Sequence, residues 1–436
     1  MINMIEYAKR RKALMRHIGH DAIVLMPSAP EVLRNGDAQY PYRQNSDFYY
    51  LTGFNEPEAV AILSPKNDRG EYILFNRVRN PKEEVWNGPR AGQEGARKHY
   101  LADHAFSIQD LEIFLPTLIG NKKTLYYPMG LYKDFDAFMI QLMNQLQTRG
   151  RHQSETPLTL VDVQPLIHEL RLFKSPAEVA LMQKAADISV KTHQAAMRYC
   201  QPGRNECELD AVISFEFKKQ GALSPAYTSI VGAGENTCVL HYIQNDKKIQ
   251  AGDLVLIDAG AEYENYAADI TRTFPANGRF TEEQAAIYDI VLRAQEAAIA
   301  LIKPGITWPM MQDAIIKVIT QGLIKLGILK GNWRTLVQKK AYLPFYMHQS
   351  GHWLGLDVHD AGCYKIKDEW RQLKPGMVLT VEPGIYIHSS IPGVAKRWHD
   401  IGVRIEDDVL VTKTGAKVLS AALPKTRAAI EALMAK

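Results

Sequence analysis

Two acids in this sequence close short apolar runs, and both sit where a charge is costly. Leu254-Val255-Leu256-Ile257 leads into Asp258, and Met377-Val378-Leu379-Thr380-Val381 leads into Glu382. Both occupy one frame: Gly252 or Gly376, five residues, the carboxylate, one residue, then Gly260 or Gly384. A buried carboxylate without a partner costs several kcal/mol, so each needs a counter-charge or a proton. The next apolar stretch, Ala267–Phe274, holds Asp269. With a hairpin centred between Tyr263 and Glu264, Asp258 and Asp269 face each other, and like charges across a ladder repel. A shared proton or an intervening cation relieves that repulsion. At this point the alternative is an ordinary surface pair between Asp269 and Arg272. Arg404 and Glu406 lie two apart, hence on one strand face, with Val403 and Ile405 on the other; a lone surface salt bridge is the alternative there. Three of the 13 histidines, His348, His352 and His359, crowd into His348–Asp360 beside several glycines.

Four carboxylates and one imidazole form a hard, oxygen-rich donor set suited to Mn²⁺, Co²⁺, Fe²⁺ or Zn²⁺. Four negative charges exceed what one divalent ion balances, so the set points to two ions about 3.5 Å apart holding a bridging hydroxide. The chemistry is hydrolysis of a polar carbonyl or phosphoryl bond. Gly232-Ala233-Gly234 lacks the spacing of a dinucleotide loop and reads as a tight turn after Ile230-Val231, with no helix opening there.

These residues need elements to position them. Residues 175–178, Ser-Pro-Ala-Glu, carry a capping box with proline at the first helical position. The helix they open stops at Gln201-Pro202-Gly203, and a second presents Leu209, Val212, Ile213 and Phe217, with Gly221 at its end. The pattern recurs. Thr281-Glu282-Glu283-Gln284 starts a helix that stops at Lys303-Pro304-Gly305, and another runs to about Leu326. Each helix pair precedes an acid-bearing strand frame, a weak internal duplication. Before these, 21–27, 58–64, 71–75 and 124–129 read as strands and 133–147 as an amphipathic helix, an α/β arrangement. The polar stretch 149–157 is the linker candidate.

Composition sets the frame. The chain has 436 residues, 46% hydrophobic and 23% charged, with a formal net charge of +4. These values exclude a disordered or fibrous chain and give no reason to expect nucleic acid or an anionic membrane as a partner. Four cysteines without a CxxC pair suit a reducing cytoplasm. The N-terminus lacks an apolar leader, and no stretch reaches the ~18 apolar residues of a membrane span.

Residues 175–436 resemble the pita-bread metallopeptidases, whose ligands run Asp, Asp, His, Glu, Glu; here those are Asp258, Asp269, His352, Glu382 and Glu406. The strings IDAG, ADITRTF, GHWLGLDVHD, TVEPG and GVRIEDD are similar to those of the aminopeptidase P (Xaa-Pro aminopeptidase) family. So are YPYRQNSDFYYLTGFNEPEA, LFNRVR and HELRLFKSP in the N-terminal half and junction. The resemblance implies an α/β, creatinase-like N-terminal domain (1–170) followed by an α+β pita-bread catalytic domain (171–436) with an internal pseudo-two-fold repeat. It implies a metal-dependent exopeptidase that cleaves the N-terminal Xaa-Pro bond through a metal-bridging hydroxide, with two Mn²⁺ and Co²⁺, Zn²⁺ or Fe²⁺ as alternatives. Prolidase is the nearest alternative; a non-catalytic pita-bread binding module is another.

By the same resemblance, Asp258 binds one metal, Asp269 and Glu406 bridge both, and His352 and Glu382 complete the second. Glu382 takes the proton of the attacking water, and His359 stabilises the oxyanion. His241 and His348 line the proline pocket, Tyr386 and Arg404 support the ligands, and Trp86 caps a neighbouring subunit's site. The partners implied are peptides with proline second and further copies of the chain in a dimer or tetramer. One departure stands out: Gln349 replaces the glycine that usually follows the first histidine of the HxxxH segment.

Overall fold

The apolar runs of the N-terminal part become a single sheet in the computed structural model, which describes residues 2–68, 70–120, 122–147, 157 and 159–435. The sheet runs His104–Ser107, Tyr72–Asn76, Val60–Leu63, Ala22–Pro27, Thr124–Tyr127, Thr159–Asp162. Ala22–Pro27 is antiparallel to Val60–Leu63 and parallel to Thr124–Tyr127. All six residues of Ala22–Pro27 are buried, the reason this strand reads as an unbroken apolar run. Leu115, Ile119, Met139, Leu142 and Leu146, from helices Leu111–Ile119 and Lys133–Gln147, complete this core. Apart from Pro157, the linker expected at 149–157 lies outside the described residues. The chain divides into two units, Met1–Arg171 and Leu172–Lys436. No helix among the described residues is long and apolar enough to cross a membrane.

In the second unit the local signals act as read. Ser175 and Glu178 close a capping box on helix Pro176–Tyr199, and Thr281 and Gln284 close one on Glu282–Leu301. A further box, Asn205 with Glu208, starts Glu206–Lys219. Helix Trp308–Lys325 completes the second pair. After each pair the chain forms a hairpin of two ladder segments separated by a break. In the first half, Leu254–Asp258 pairs with Thr271–Pro275 and Ala261–Tyr263 with Tyr266–Ala267. In the second, Val378–Val381 pairs with Asp407–Val411 and Gly384–Ile387 with Ile401–Arg404. The expected duplication is therefore a repeat of architecture.

Two expectations need correcting. The first hairpin is centred between Glu264 and Asn265, one position beyond the centre expected, so Asp258 faces Thr271 and not Asp269. The cause is the turn: Glu264 and Asn265 both have positive φ, 51° and 65°, the tight I′ geometry, and asparagine tolerates it. Asp269 instead lies in the break, where the chains approach so closely that a Cβ on Gly260 would meet the Ala268 carbonyl oxygen at 1.7 Å. The second correction concerns Gly234, which opens a short 3₁₀ helix, Gly234–Cys238, directly after strand Ile230–Ala233. One apolar core spans both halves and holds Ile257, Ile270, Val381, Val403 and Ile405 on the faces opposite the acids.

Candidate metal centre

The ladder breaks bring the acids together. Asp258 ends its strand; Asp269, Glu382 and Glu406 all fall in breaks, where side chains leave the strict alternation of a strand and converge. His352 arrives on the loop between the second helix pair and its hairpin. Its Nε2 lies 3.1 Å from Asp269 Oδ2 and 3.7 Å from Glu382 Oε1. Its Nδ1 donates to the Trp353 carbonyl at 2.9 Å, which fixes the tautomer and leaves Nε2 facing the acids. One donor atom each from Asp269, His352 and Glu406 lies within 4.8 Å of the others.

Burial and mutual repulsion dominate the electrostatics. Burial, then the charges of Asp269, Glu382 and Asp258, pushes Glu406 well above the usual carboxylate range. Burial pushes Glu382 up to about 7, and burial raises Asp258 despite Arg404. Asp269 goes the other way: burial is outweighed by hydrogen bonding to His352, so it is lowered. Burial lowers His352, but the hydrogen bond and charge of Asp269 bring it up to about 9. Such a set stays together by taking up protons or by binding cations. Its oxygen-rich chemistry and mutual proximity fit divalent metal ions.

Arg404 supplies the fixed positive charge. It is 3% exposed. Its Nη2 donates to Asp258 Oδ2 at 2.6 Å, its Nη1 to the Tyr386 hydroxyl at 3.1 Å and its Nε to Thr271 Oγ1 at 3.2 Å. The Tyr386 hydroxyl in turn lies 2.9 Å from His348 Nε2, while His348 Nδ1 donates to the Gln349 carbonyl at 2.6 Å. Burial holds His348 down to about 4, so it stays neutral and accepts from Tyr386. Gln349 is not among the residues with positive φ, so its Cβ imposes no strain on this loop. Two residues on, Gly351 cannot take a side chain: a Cβ there, at φ +157°, would meet Thr380 O at 2.2 Å.

His359 sits edge-on to His352, with ring centroids 4.3 Å apart. Burial, then the His352 charge, lowers its pKa. His241 is exposed and lines the same cavity, about 540 Å³, whose apolar wall is Ile230, Leu240, Ile243, Val358 and Tyr364. The structure thus gathers Asp258, Asp269, His352, Glu382, Glu406, His241, His348, His359 and Arg404 around one cavity, with Tyr386 behind it. Trp86 lies on the short helix Pro81–Asn87 of the N-terminal unit, with 85% of its surface exposed.

Several contributors carry no motif. The Tyr227 hydroxyl lies 2.5 Å from Asp258 Oδ1 and 2.6 Å from Asp269 Oδ1, so one proton serves two carboxylates. Thr271 Oγ1 donates to Glu406 Oε2 at 2.7 Å. Arg272 does not pair with Asp269 at a surface. It is fully buried, donates from Nη1 to the Glu406 carbonyl at 2.6 Å and pairs with Asp407 at 2.7 Å. Thr271 had a faint signal in its place within ADITRTF; Tyr227 had none.

Known proteins share both the fold and the sequence. Residues 180–413 match metallopeptidase family M24, and residues 7–126 match the aminopeptidase P N-terminal domain. The Xaa-Pro aminopeptidase of Escherichia coli K12 is 45% identical over 99% of this chain and 98% of its own length. Human Xaa-Pro aminopeptidase 3 is 34% identical over 99% of this chain and 86% of its own. The structure of Pseudomonas aeruginosa aminopeptidase PepP superposes with a TM-score of 0.98 at 51% identity, covering 99% and 98% of the two chains. E. coli aminopeptidase P with the inhibitor Pro-Leu gives 0.96 at 44%, with the same coverage. With this likeness running through both units and the acids converging as described, the chain belongs to metallopeptidase family M24 and, within it, to the Xaa-Pro aminopeptidases.

Proposed function

We propose that this cavity hydrolyses the bond between an N-terminal residue and a following proline, with Asp258, Asp269, His352, Glu382 and Glu406 holding two divalent ions, Mn²⁺ first among them. When bound, such ions polarise the scissile carbonyl and make water a nucleophile at neutral pH. The chain's own residues do the rest. Glu382, with Oε1 near Thr380 and His352, takes the proton of the attacking water. His359, beside His352, donates to the carbonyl oxygen as it gains charge. His241 and His348 flank the proline ring, and Tyr386 orients His348. Arg404 and Tyr227 hold Asp258 and Asp269 in place.

The observation that carries this reading is the commitment of Arg404. Among the described residues it is the only arginine or lysine lining the cavity, and it is engaged by Asp258, Tyr386 and Thr271. A dipeptidase closed around a free carboxylate needs a cation to spare; among the described residues this cavity offers no uncommitted arginine or lysine, which supports a substrate that continues beyond proline. We also propose residues 1–170 as the N-terminal domain and 171–436 as the catalytic one, a cytoplasmic location in keeping with four free cysteines, and a homo-oligomer, dimer or tetramer, in which exposed Trp86 meets a second copy.

The test is kcat/KM for Gly-Pro-Leu, Gly-Pro and Gly-Ala-Leu at one Mn²⁺ concentration. Gly-Pro-Leu is expected to be the best, releasing glycine, and Gly-Ala-Leu to lose most of the activity. If Gly-Pro leads, the cavity serves a dipeptidase and the argument from Arg404 fails.

A further inference from the structure

Among the buried ion pairs outside the cluster of acids, one lies next to His359. Lys174 Nζ lies 2.9 Å from Asp360 Oδ2, and each side chain retains 1% exposure. A buried pair of this kind is not needed for stability, since matched apolar residues often serve as well. What it does provide is a fixed geometry. The Lys174 backbone N–H donates to the Gly376 carbonyl at 2.8 Å, which ties the lysine to the approach of strand Val378–Val381. Gly355 closes over the pair: a Cβ there would stand 2.2 Å from Asp360 Oδ2 and 2.9 Å from Lys174 Cε. The Asp360 N–H donates at 2.9 Å to the Trp353 carbonyl, the oxygen that also takes the His352 Nδ1 proton. Asp360 is thus fixed through both its carboxylate and its backbone. The residue directly before it is His359, whose ring projects to within 4.3 Å of the His352 ring.

We propose that the Lys174–Asp360 pair is a positioning device for His359: it anchors the loop so that the imidazole meets the scissile carbonyl oxygen as charge develops there. This rests on the role given to His359 above. A group that acts in the transition state must be held to a fraction of an ångström, and a displacement of about 1 Å costs about 10²-fold in rate. Ground-state binding relies on the proline pocket around His241 and His348, which the pair does not touch, so the loss should fall on kcat and spare KM.

The experiment is a double-mutant cycle between Lys174 and His359, read in kcat, KM and bound Mn²⁺ per chain. K174M is expected to lower kcat about 10- to 100-fold, with KM within about 3-fold and metal content unchanged. In the His359→Ala background the same substitution should add less than about 2-fold, because there is no imidazole left to misplace. Should K174M fail to accumulate as folded protein by circular dichroism, D360N and the apolar pair K174M/D360L carry the same comparison. Equal losses from Lys174 substitution with and without the imidazole would overturn the proposal, as would a fall in metal content that accounts for the lost rate. Full kcat in H359A itself would instead remove the role assigned to His359.

Discussion

Replacing Arg404 by methionine removes a fixed positive charge from among four carboxylates, three of them buried and Glu382 partly so. The side chain is 3% exposed and makes hydrogen bonds to Asp258, Tyr386 and Thr271. Without it, the Asp258 carboxylate keeps, among the described residues, the Tyr227 hydroxyl, which it already shares with Asp269. Removing one partner of a buried ion pair costs about 3–5 kcal/mol. The unit that houses it, Leu172–Lys436, is about 265 residues long. At about 2.1 cal/mol/K per residue, its unfolding entropy is about 0.6 kcal/mol/K, so the metal-free variant should melt about 5–9 °C below wild type.

Metal should change that gap in a definite direction. Divalent ions supply the positive charge that the arginine did, and an ion that binds only the folded state stabilises it by mass action. The rise in Tm on adding Mn²⁺ is therefore expected to be larger in R404M than in wild type. Activity should not follow. Arg404 also orients Asp258 and, through Tyr386, His348, so kcat/KM should remain about 10²-fold down at saturating Mn²⁺. Thermal melts in EDTA and in Mn²⁺, with kinetics alongside, make the test. A metal-free gap under 2 °C, or one unchanged by Mn²⁺, would refute the claim that Arg404 balances the acids.

Chelation should abolish hydrolysis and Mn²⁺ restore it most fully, whereas Asp269→Asn, which keeps the shape but removes a charge, should lose metal and activity together; full activity in that variant would sink the dinuclear assignment. In the N-terminal unit, burial would raise Asp47, but hydrogen bonding to His168 and the charge of Arg171, 2.7 Å away, hold it below the usual carboxylate range. A depressed folded pKa stabilises fully above the unfolded value of about 3.9 and is lost as pH falls through the folded one. Asp47→Asn should therefore lower the urea midpoint equally at pH 7 and pH 5, and the gap should shrink as pH falls below about 4 towards the depressed folded value; a gap that does not shrink over that fall would count against this ion pair.

What the sequence revealed was local. Capping boxes at Ser175 and Thr281 depend on side chains reaching three residues along, so the helices they open could be read directly. Asp258 and Glu382 were visible because they interrupt apolar runs, and the shared frame around them exposed the repeat. The hairpin centre was missed by one position because Glu262-Tyr263-Glu264-Asn265 has no glycine to mark the turn; Asn265 at positive φ is the subtler signal. Long-range polar partners were not legible at all. Arg272 and Asp407 are 135 residues apart, and Asp360 lies 186 from Lys174. No periodicity encodes such pairings, which exist only once separate elements pack.

The same distinction explains why the site needs both halves of the repeat. Each half contributes two of the four acids, but the groups that balance them cross between halves. Arg404 and His352, from the second, reach Asp258 and Asp269 of the first. Thr271, from the first, donates to Glu406 of the second, and Arg272 grips the Glu406 carbonyl. Each half supplies some donors of its own, Tyr227 to Asp258 and Asp269 and Thr380 to Glu382, but the cations beside the first two acids and the groups holding Glu406 come from the opposite half. Repetition gives the acids their places in the ladder breaks; the cross-connections give them their charges. A duplicated frame with acids at the right spacing is thus insufficient by itself, and the residues that complete it are Arg404, Thr271, Arg272 and Tyr227, only the first of which the spacing of the motifs pointed to.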